Sequence, residues 1–449
     1  MSPERTPAVG EGTQSRPLRR FVGLAVPNVL ANLTVPLAGL VDTALLGHLP
    51  ELQHLAGVGL AAVIFDYLYW SFGFLRMGTT GVTAQALGEG DEDEVVLTFA
   101  RAVGLALILG VGIWVLAWPV QWLAFAVLDG SPAVEEAGRA YFYGRVVGAP
   151  LALANFAIIG SLLGRQRSAA VLWITAAGAS TNVLLDAWFI WGLGWGSGGA
   201  GLATAASQLA MTLVGLAFLG RELRWRRISA LRDRILDRNA LARLASLSVD
   251  ILVRTFALLT AFATFTNFSA ALGTIQLGAT TVLLKALSTA AFFIDGYAFA
   301  AESMAGLAKG RRAPRELRAL LRVALPVGMV TGSLFATLFW FVPAVFDLLT
   351  DHTEVLSRVY GQRGWLAAVL LVSPLAYVLD GYFLGLAAGP LLRRAMLWSL
   401  GLGYLPLALY ARYGHGSSAL LWASMASFML ARALTLGLGV KKSFEIDGL

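Results

Sequence analysis

Long apolar runs, each bounded by charge or by Gly and Pro, recur along the whole chain at about 21–46, 55–85, 96–119, 137–164, 169–192, 199–220, 241–270, 277–306, 317–342, 358–388, 394–411 and 418–440. A helix across a bilayer needs about 20 mostly apolar residues, so the pattern predicts an all-α polytopic membrane protein with twelve transmembrane helices. The first run is too long to be the core of a cleaved signal peptide, and it is read as a retained span. Basic residues fall on alternate loops: Arg16, Arg19 and Arg20, then Arg165 and Arg167, an arginine-rich stretch over 221–243, residues 309–318, Arg393 and Arg394, and finally Lys441 and Lys442. The loops between them carry almost none, with Arg412 the main exception. Positive residues mark the cytoplasmic side, so both termini are expected inside a cell (inner or plasma) membrane. The acidic run 89–94 lies on that side and suits the N-terminus of the third helix.

The longest basic loop divides the spans six and six, and the halves echo one another. Leu87-Gly88-Glu89-Gly90 closes the second span as Leu307-Ala308-Lys309-Gly310 closes the eighth. Pro150-Leu151-Ala152 matches Pro374-Leu375-Ala376, and Leu172-Trp173 matches Leu397-Trp398, at nearly the same offset. Two parallel repeats of this kind are a transporter design with a cavity between lobes. The expected divisions are a cytoplasmic tail 1–20, an N-lobe 21–225, a linker 226–240, a C-lobe 241–440 and a C-terminal tail 441–449. Glycine pairs such as Gly144 with Gly148 and Gly160 with Gly164 read as sites of close helix packing.

Composition agrees with this picture: 57% of the 449 residues are hydrophobic and 14% charged, far from the charge content of a soluble domain. The net charge of +7 is absorbed by the cytoplasmic loops, so no nucleic-acid partner is expected; the lipid bilayer is. No cysteine is present, which removes disulfides and thiolate metal sites. An integral-membrane enzyme lacks support, since no HExxH motif and no clustered histidines occur, and an ATP-driven pump lacks its phosphate loop.

Charges inside the spans are expensive, by about 2.5–3.5 kcal/mol on insertion scales, and each needs a partner, water or a function. The first half places Asp42, Asp66, Arg76 and Asp186 there; the second places Arg254, Lys285, Asp295, Glu302 and Asp380. On this count the first half offers one cation to several carboxylates, and an unpaired carboxylate away from water tends to take up a proton or a cation. Asn182 and Asp186 are four apart and share a helix face. Thr204, early in the next span, and Asn155 in the fourth add oxygens suited to a hard monovalent cation or a shared proton. Pro27 and Pro36 precede Asp42 on the first span and allow it to kink. Tyr67, Tyr69, Trp70 and Phe74 are candidate contacts for a lipophilic or cationic substrate, against the plainer reading of aromatic packing or interfacial anchoring.

The stretch from Pro27 through Val41-Asp42-Thr43-Ala44-Leu45-Leu46-Gly47-His48 resembles the opening helix of the multidrug and toxic compound extrusion (MATE) transporters. Gly73-Phe74-Leu75-Arg76-Met77-Gly78-Thr79-Thr80-Gly81 and Ile294-Asp295-Gly296-Tyr297 through Glu302 are similar to its DinF-like branch. So are Asn182 to Asp186 with Gly201-Leu202-Ala203-Thr204, and Tyr377-Val378-Leu379-Asp380-Gly381-Tyr382. The resemblance implies two pseudo-symmetric six-helix lobes in a V, not an enzyme but a secondary active exporter of organic, often cationic or amphipathic, compounds in exchange for H⁺ or Na⁺. It carries the cation-coupling site onto Asp42, Asp186, Asn182, Thr204 and Asn155, and the bend of the first helix onto Pro27. The sequence departs in the second lobe, where Lys285, Asp295, Asp380 and Arg254 form a second charged cluster that keeps a C-lobe site open. No cofactor is expected, no metal beyond Na⁺ at Asp42 and Asp186, and a monomer. The rival within transporters is a lipid-linked precursor flippase of related architecture, which favours a strongly cationic cavity; the intramembrane charges counted above lean the other way.

Overall fold

The computed structural model describes residues 15–127, 130–220, 230–414 and 416–445. Most of the expected N-terminal tail, the start of the linker 226–240 and the end of the C-terminal tail lie outside the described residues. Among the described residues ten helices are long and apolar enough to cross a bilayer. They are the first span Ser15–Gly47, the second Leu52–Glu89, the third Glu92–Val115, the fifth Ser168–Gly192 and the sixth Gly196–Gly220. In the second half they are the seventh Arg238–Ala271, the eighth Thr274–Gly310, the ninth Pro314–Phe341, the tenth Thr353–Gly385 and the twelfth Ser418–Val440. The fourth span is a pair, Pro132–Val146 and Ala149–Gly164, bent by 52° where Pro150 breaks the hydrogen-bond ladder. The eleventh runs through Gly389–Trp398, a π-helical turn Ser399–Tyr404 and Leu405–Tyr413. That makes the predicted twelve.

Local signals explain most boundaries. Gly90, at φ +77°, ends the second span in the left-handed conformation that a side chain disfavours. Asp91 then caps the third, accepting from the Glu94 amide at 2.9 Å, with three carboxylates in the first turn. Asp237 caps the seventh in the same way, through the Ala240 amide at 2.7 Å. The second span differs from the uninterrupted run expected over 55–85. It breaks at Phe72 and Gly73, whose amides bond Tyr69 and Trp70 in a tightened last turn, so its two parts are Leu52–Ser71 and Phe74–Glu89. A short helix, Ala117–Val127, was not foreseen; its exposed Trp118 and Trp122 suit an interfacial position.

Spans one to six pack on one another, as do seven to twelve, and across the junction the eighth span lies against the first span and the Phe74–Glu89 part of the second. Glycine makes the tight contacts. A Cβ at Gly144 would meet the Gly198 carbonyl at 2.8 Å, and one at Gly160 the Arg76 carbonyl at 2.6 Å, so both expected glycine pairs sit at close helix crossings. Between the halves, Gly81 abuts the Leu384 carbonyl, Gly88 that of Leu307 and Gly310 that of Gln85. Gln85 Nε2 also donates to the Gly385 carbonyl at 2.8 Å. These contacts close one end of the junction, the end that carries the basic loops.

Candidate ion and substrate site

At the other end a cavity of about 720 Å³ opens among the spans of the first half. The first span lines it from Thr34 to Leu46, the second from Leu55 to Asp66, the fourth with Tyr141 and Arg145, and the fifth with Thr175 through Asn182. Thr204, Ser207, Gln208 and Met211 of the sixth complete the wall. The volume lies in the range of small-molecule sites, about 300–1,000 Å³.

Three of the predicted residues, Asp42, Asn182 and Thr204, face this cavity, and a fourth, Asp186, lies fully buried directly behind Asp42. The helical spacing of four residues puts Asn182 and Asp186 on one face, as expected, and a π-helical turn, Ala187–Gly192, begins right after Asp186. The carboxyl groups of Asp42 and Asp186 meet side chain to side chain. Among the described residues no donor reaches Asp42 Oδ1 or either Asp186 oxygen, and Asn182 Nδ2 is equally unpartnered. Buried polar atoms are satisfied in the great majority of cases, so four in one place mark a site built for something else. The Thr204 hydroxyl donates to the Ala200 carbonyl at 3.0 Å, leaving its lone pairs free. The residues present therefore fit a proton or a hard monovalent cation.

The other predicted positions fall elsewhere. Asn155 is not in the cavity wall: its Nδ2 donates to the Gln208 carbonyl and Oε1 at 2.9 and 3.0 Å, and its Oδ1 accepts from Thr212 at 3.0 Å. It thereby holds Gln208, which does line the cavity. Pro27 lies inside a continuous first helix whose next turn is pressed on the eighth span, where a Cβ at Gly296 would meet the Val29 amide at 2.7 Å. Of the aromatic candidates, Tyr67 and Trp70 are exposed and Phe74 is buried, and none of the four lines the cavity.

The second-half cluster is held together by arginine. Arg254 Nε donates to Asp380 Oδ1 at 3.2 Å and its Nη2 pairs with the other oxygen; Arg432 Nη2 stands 3.7 Å from Oδ1. Asp295 lies in the field of Arg254, Arg432 and Arg76. Lys285 stands apart from these three, and its electrostatic neighbour is Asp66 of the second span. Arg76 crosses between the halves to Glu302 at 3.1 Å.

The count of one buried cation in the first half is corrected by the structure. Arg145 lines the cavity itself, and Arg101 is buried with Glu94 at 2.7 Å. In the second half the reading also passed over Arg432, 1% exposed, and Asp250, paired with Arg393 at 2.5 Å. The signal was present: each is a charge inside a predicted apolar run, the same criterion that picked out Asp42. The cavity nonetheless holds Asp42 and Asp66 against a single arginine, which is not the strongly cationic chamber of a flippase for pyrophosphate-linked lipids.

The MatE family model matches residues 27–188 and 251–408. The chain is 33% identical to DNA damage-inducible protein F of Escherichia coli over 414 residues, 92% of this chain and 90% of that one. Among solved structures, a MOP superfamily transporter from Pyrococcus furiosus superposes at a TM-score of 0.86 with 20% identity, over 98% of this chain and 99% of the other. An outward-facing multidrug resistance MATE family transporter does so at 0.84, with 19% identity and the same coverage.

Proposed function

The chain belongs to the MatE family, whose members are ion-coupled membrane transporters and not enzymes, and on that premise we propose that it exports organic compounds in exchange for H⁺ or Na⁺ bound at Asp42 and Asp186. One observation carries the assignment. The Asp42–Asp186 pair, at the cavity wall and just behind it, has orphaned oxygens and no arginine or lysine within ion-pair distance among the described residues, whereas Asp380 and Glu302 each have an arginine. Two carboxylates this close repel when both are ionised, and one shared cation removes the repulsion. Asn182 and Thr204 supply further polar atoms to the same place, and Asn155 acts through Gln208.

The basic loops put the closed end of the junction on the cytoplasmic side, with both termini, so the cavity faces outward. The moving bodies in this reading are the two lobes, 21–225 and 241–440, joined by 226–240, and a single chain carries a whole cavity. Cation binding at Asp42 shifts the first span toward a bend at Pro27, shrinks the cavity and drives substrate out. An ion acts in this way only in proportion to its different affinity for the two shapes, tenfold for each 1.4 kcal/mol.

Dye efflux from proteoliposomes, under an imposed pH gradient and separately under a Na⁺ gradient, tests the proposal and identifies the ion. Asp42→Asn and Asp186→Asn are each expected to abolish gradient-driven efflux while the protein still inserts. Full coupled transport by both variants would sink the assignment.

A further inference from the structure

We propose that Arg145 is an anion subsite of the outward cavity, taking the carboxylate of organic compounds that carry a negative group beside an aromatic, positively charged body. The inference rests on the reading of this cavity as the substrate chamber and specifies its chemistry.

A guanidinium inside a membrane span is costly, and three of the other intramembrane arginines meet that cost with oxygen: Arg76 with Glu302, Arg101 with Glu94 and the carbonyls of Arg234 and Ile235, Arg254 with Asp380; Arg432, ringed by Tyr377 and Phe428, still has Asp380 at 3.7 Å. Arg145 does not. Among the described residues no carboxylate lies within ion-pair distance of it; its Nη1 donates to the Tyr141 hydroxyl at 2.8 Å, and its Nε has no partner. What holds it is aromatic. Its central carbon lies 4.5 Å from the ring centre of Phe65, 5.5 Å from that of Tyr69 and 5.7 Å from that of Tyr141. Ring faces stabilise a cation without consuming its N–H groups. The guanidinium is thus fixed in place with donors to spare, the geometry that grips a carboxylate through two parallel hydrogen bonds.

The same cavity presents Asp42 and Asp66, whose charges act on Arg145 from beyond contact distance. A ligand with both signs of charge leaves neither Arg145 nor Asp66 unmatched. A purely cationic ligand leaves the arginine bare. Lys285 stands near Asp66 from the second half and moderates that carboxylate, which adds to the demand for a negative group on the ligand.

Tetramethylrhodamine and tetramethylrhodamine methyl ester share one cationic ring system and differ in whether the benzoate is free. Their affinities are measured by fluorescence polarisation on the full chain in nanodiscs, without any ion gradient. The wild type is expected to prefer the free acid, and Arg145→Gln to lower the acid-to-ester affinity ratio about tenfold or more, the size of a hydrogen bond to a charged group. Arg145→Lys, which keeps the charge and loses the fork, is expected to keep part of the ratio. A ratio unchanged in Arg145→Gln, or no binding of either dye by the wild type, overturns the proposal. Misfolding lowers both affinities and leaves no selective change. Gradient-driven efflux is read in a separate assay, so a failure of ion coupling at Asp42 and Asp186 is distinguishable from a failure of this subsite.

Discussion

Single side chains divide into those whose charge is matched inside the protein and those whose charge is not. Asp380 belongs to the first kind, gripped by Arg254 and approached by Arg432. Removing one member of a buried pair strands the other and costs about 3–5 kcal/mol, while replacing both by apolar groups is often neutral. Asp380→Leu is therefore expected to lower the thermal unfolding temperature of the solubilised protein sharply, and the double variant Arg254→Met/Asp380→Leu to recover part of the loss. A double variant no more stable than the single would show that Arg254 was not the stranded partner. Asp42 and Asp186 belong to the second kind, and their oxygens remain orphaned without a cation. The sequence revealed these two because a carboxylate in an apolar run stands out by itself. Arg145 was as visible by that rule, but its meaning depends on Phe65, which is remote in sequence and adjacent only once the second and fourth spans pack.

At the scale of elements, the first span joins a proline to the ion site. Pro27 has no amide hydrogen, so the helix lacks one hydrogen bond there and bends more easily than a regular turn. Beside it, both amide atoms of Asn28 are buried without partners, an arrangement that a different shape of this helix can relieve. Pro27→Ala restores the missing bond. It is expected to slow gradient-driven dye efflux severalfold or more while leaving dye affinity within about twofold, as read by proteoliposome efflux and by polarisation on the same preparation. Equal loss of both would place Pro27 in the binding site and not in the motion. Helix number and order were legible in the hydrophobic pattern, since each apolar run has only one way to satisfy its backbone in lipid. The break at Phe72–Gly73 and the π-helical turn after Asp186 were not, because both alter the backbone without changing the apolar period.

At the scale of the whole molecule, the seal between the halves on the basic side is made of backbone against backbone. A Cβ at Gly81 would overlap the Leu384 carbonyl of the other half, and main chain cannot rotate out of the way as a side chain can. Gly81→Ala is expected to loosen this seal and populate shapes open on that side. The chain has no cysteine, so Ser303→Cys, near-isosteric and buried beside Glu302, reports on it without background. Maleimide labelling of that cysteine from the basic-loop side should accelerate severalfold when Gly81→Ala is added. An unchanged rate would mean that the Arg76–Glu302 pair and the Gln85 contact with the Gly385 carbonyl at 2.8 Å suffice to hold the seal.

The sequence by itself determined that this is a twelve-span membrane protein built of two six-span halves, and which carboxylates stand unaccompanied along their own helices. Those conclusions follow from one-dimensional quantities: the length of an apolar run, the alternation of basic loops and a four-residue spacing. Which charges are neutralised was decided only by the tertiary structure. An ion pair depends on distances of a few ångströms between helices far apart in sequence, so Arg254 and Asp380 cancel while Asp42 and Arg145 face one cavity, with Asp186 buried behind Asp42.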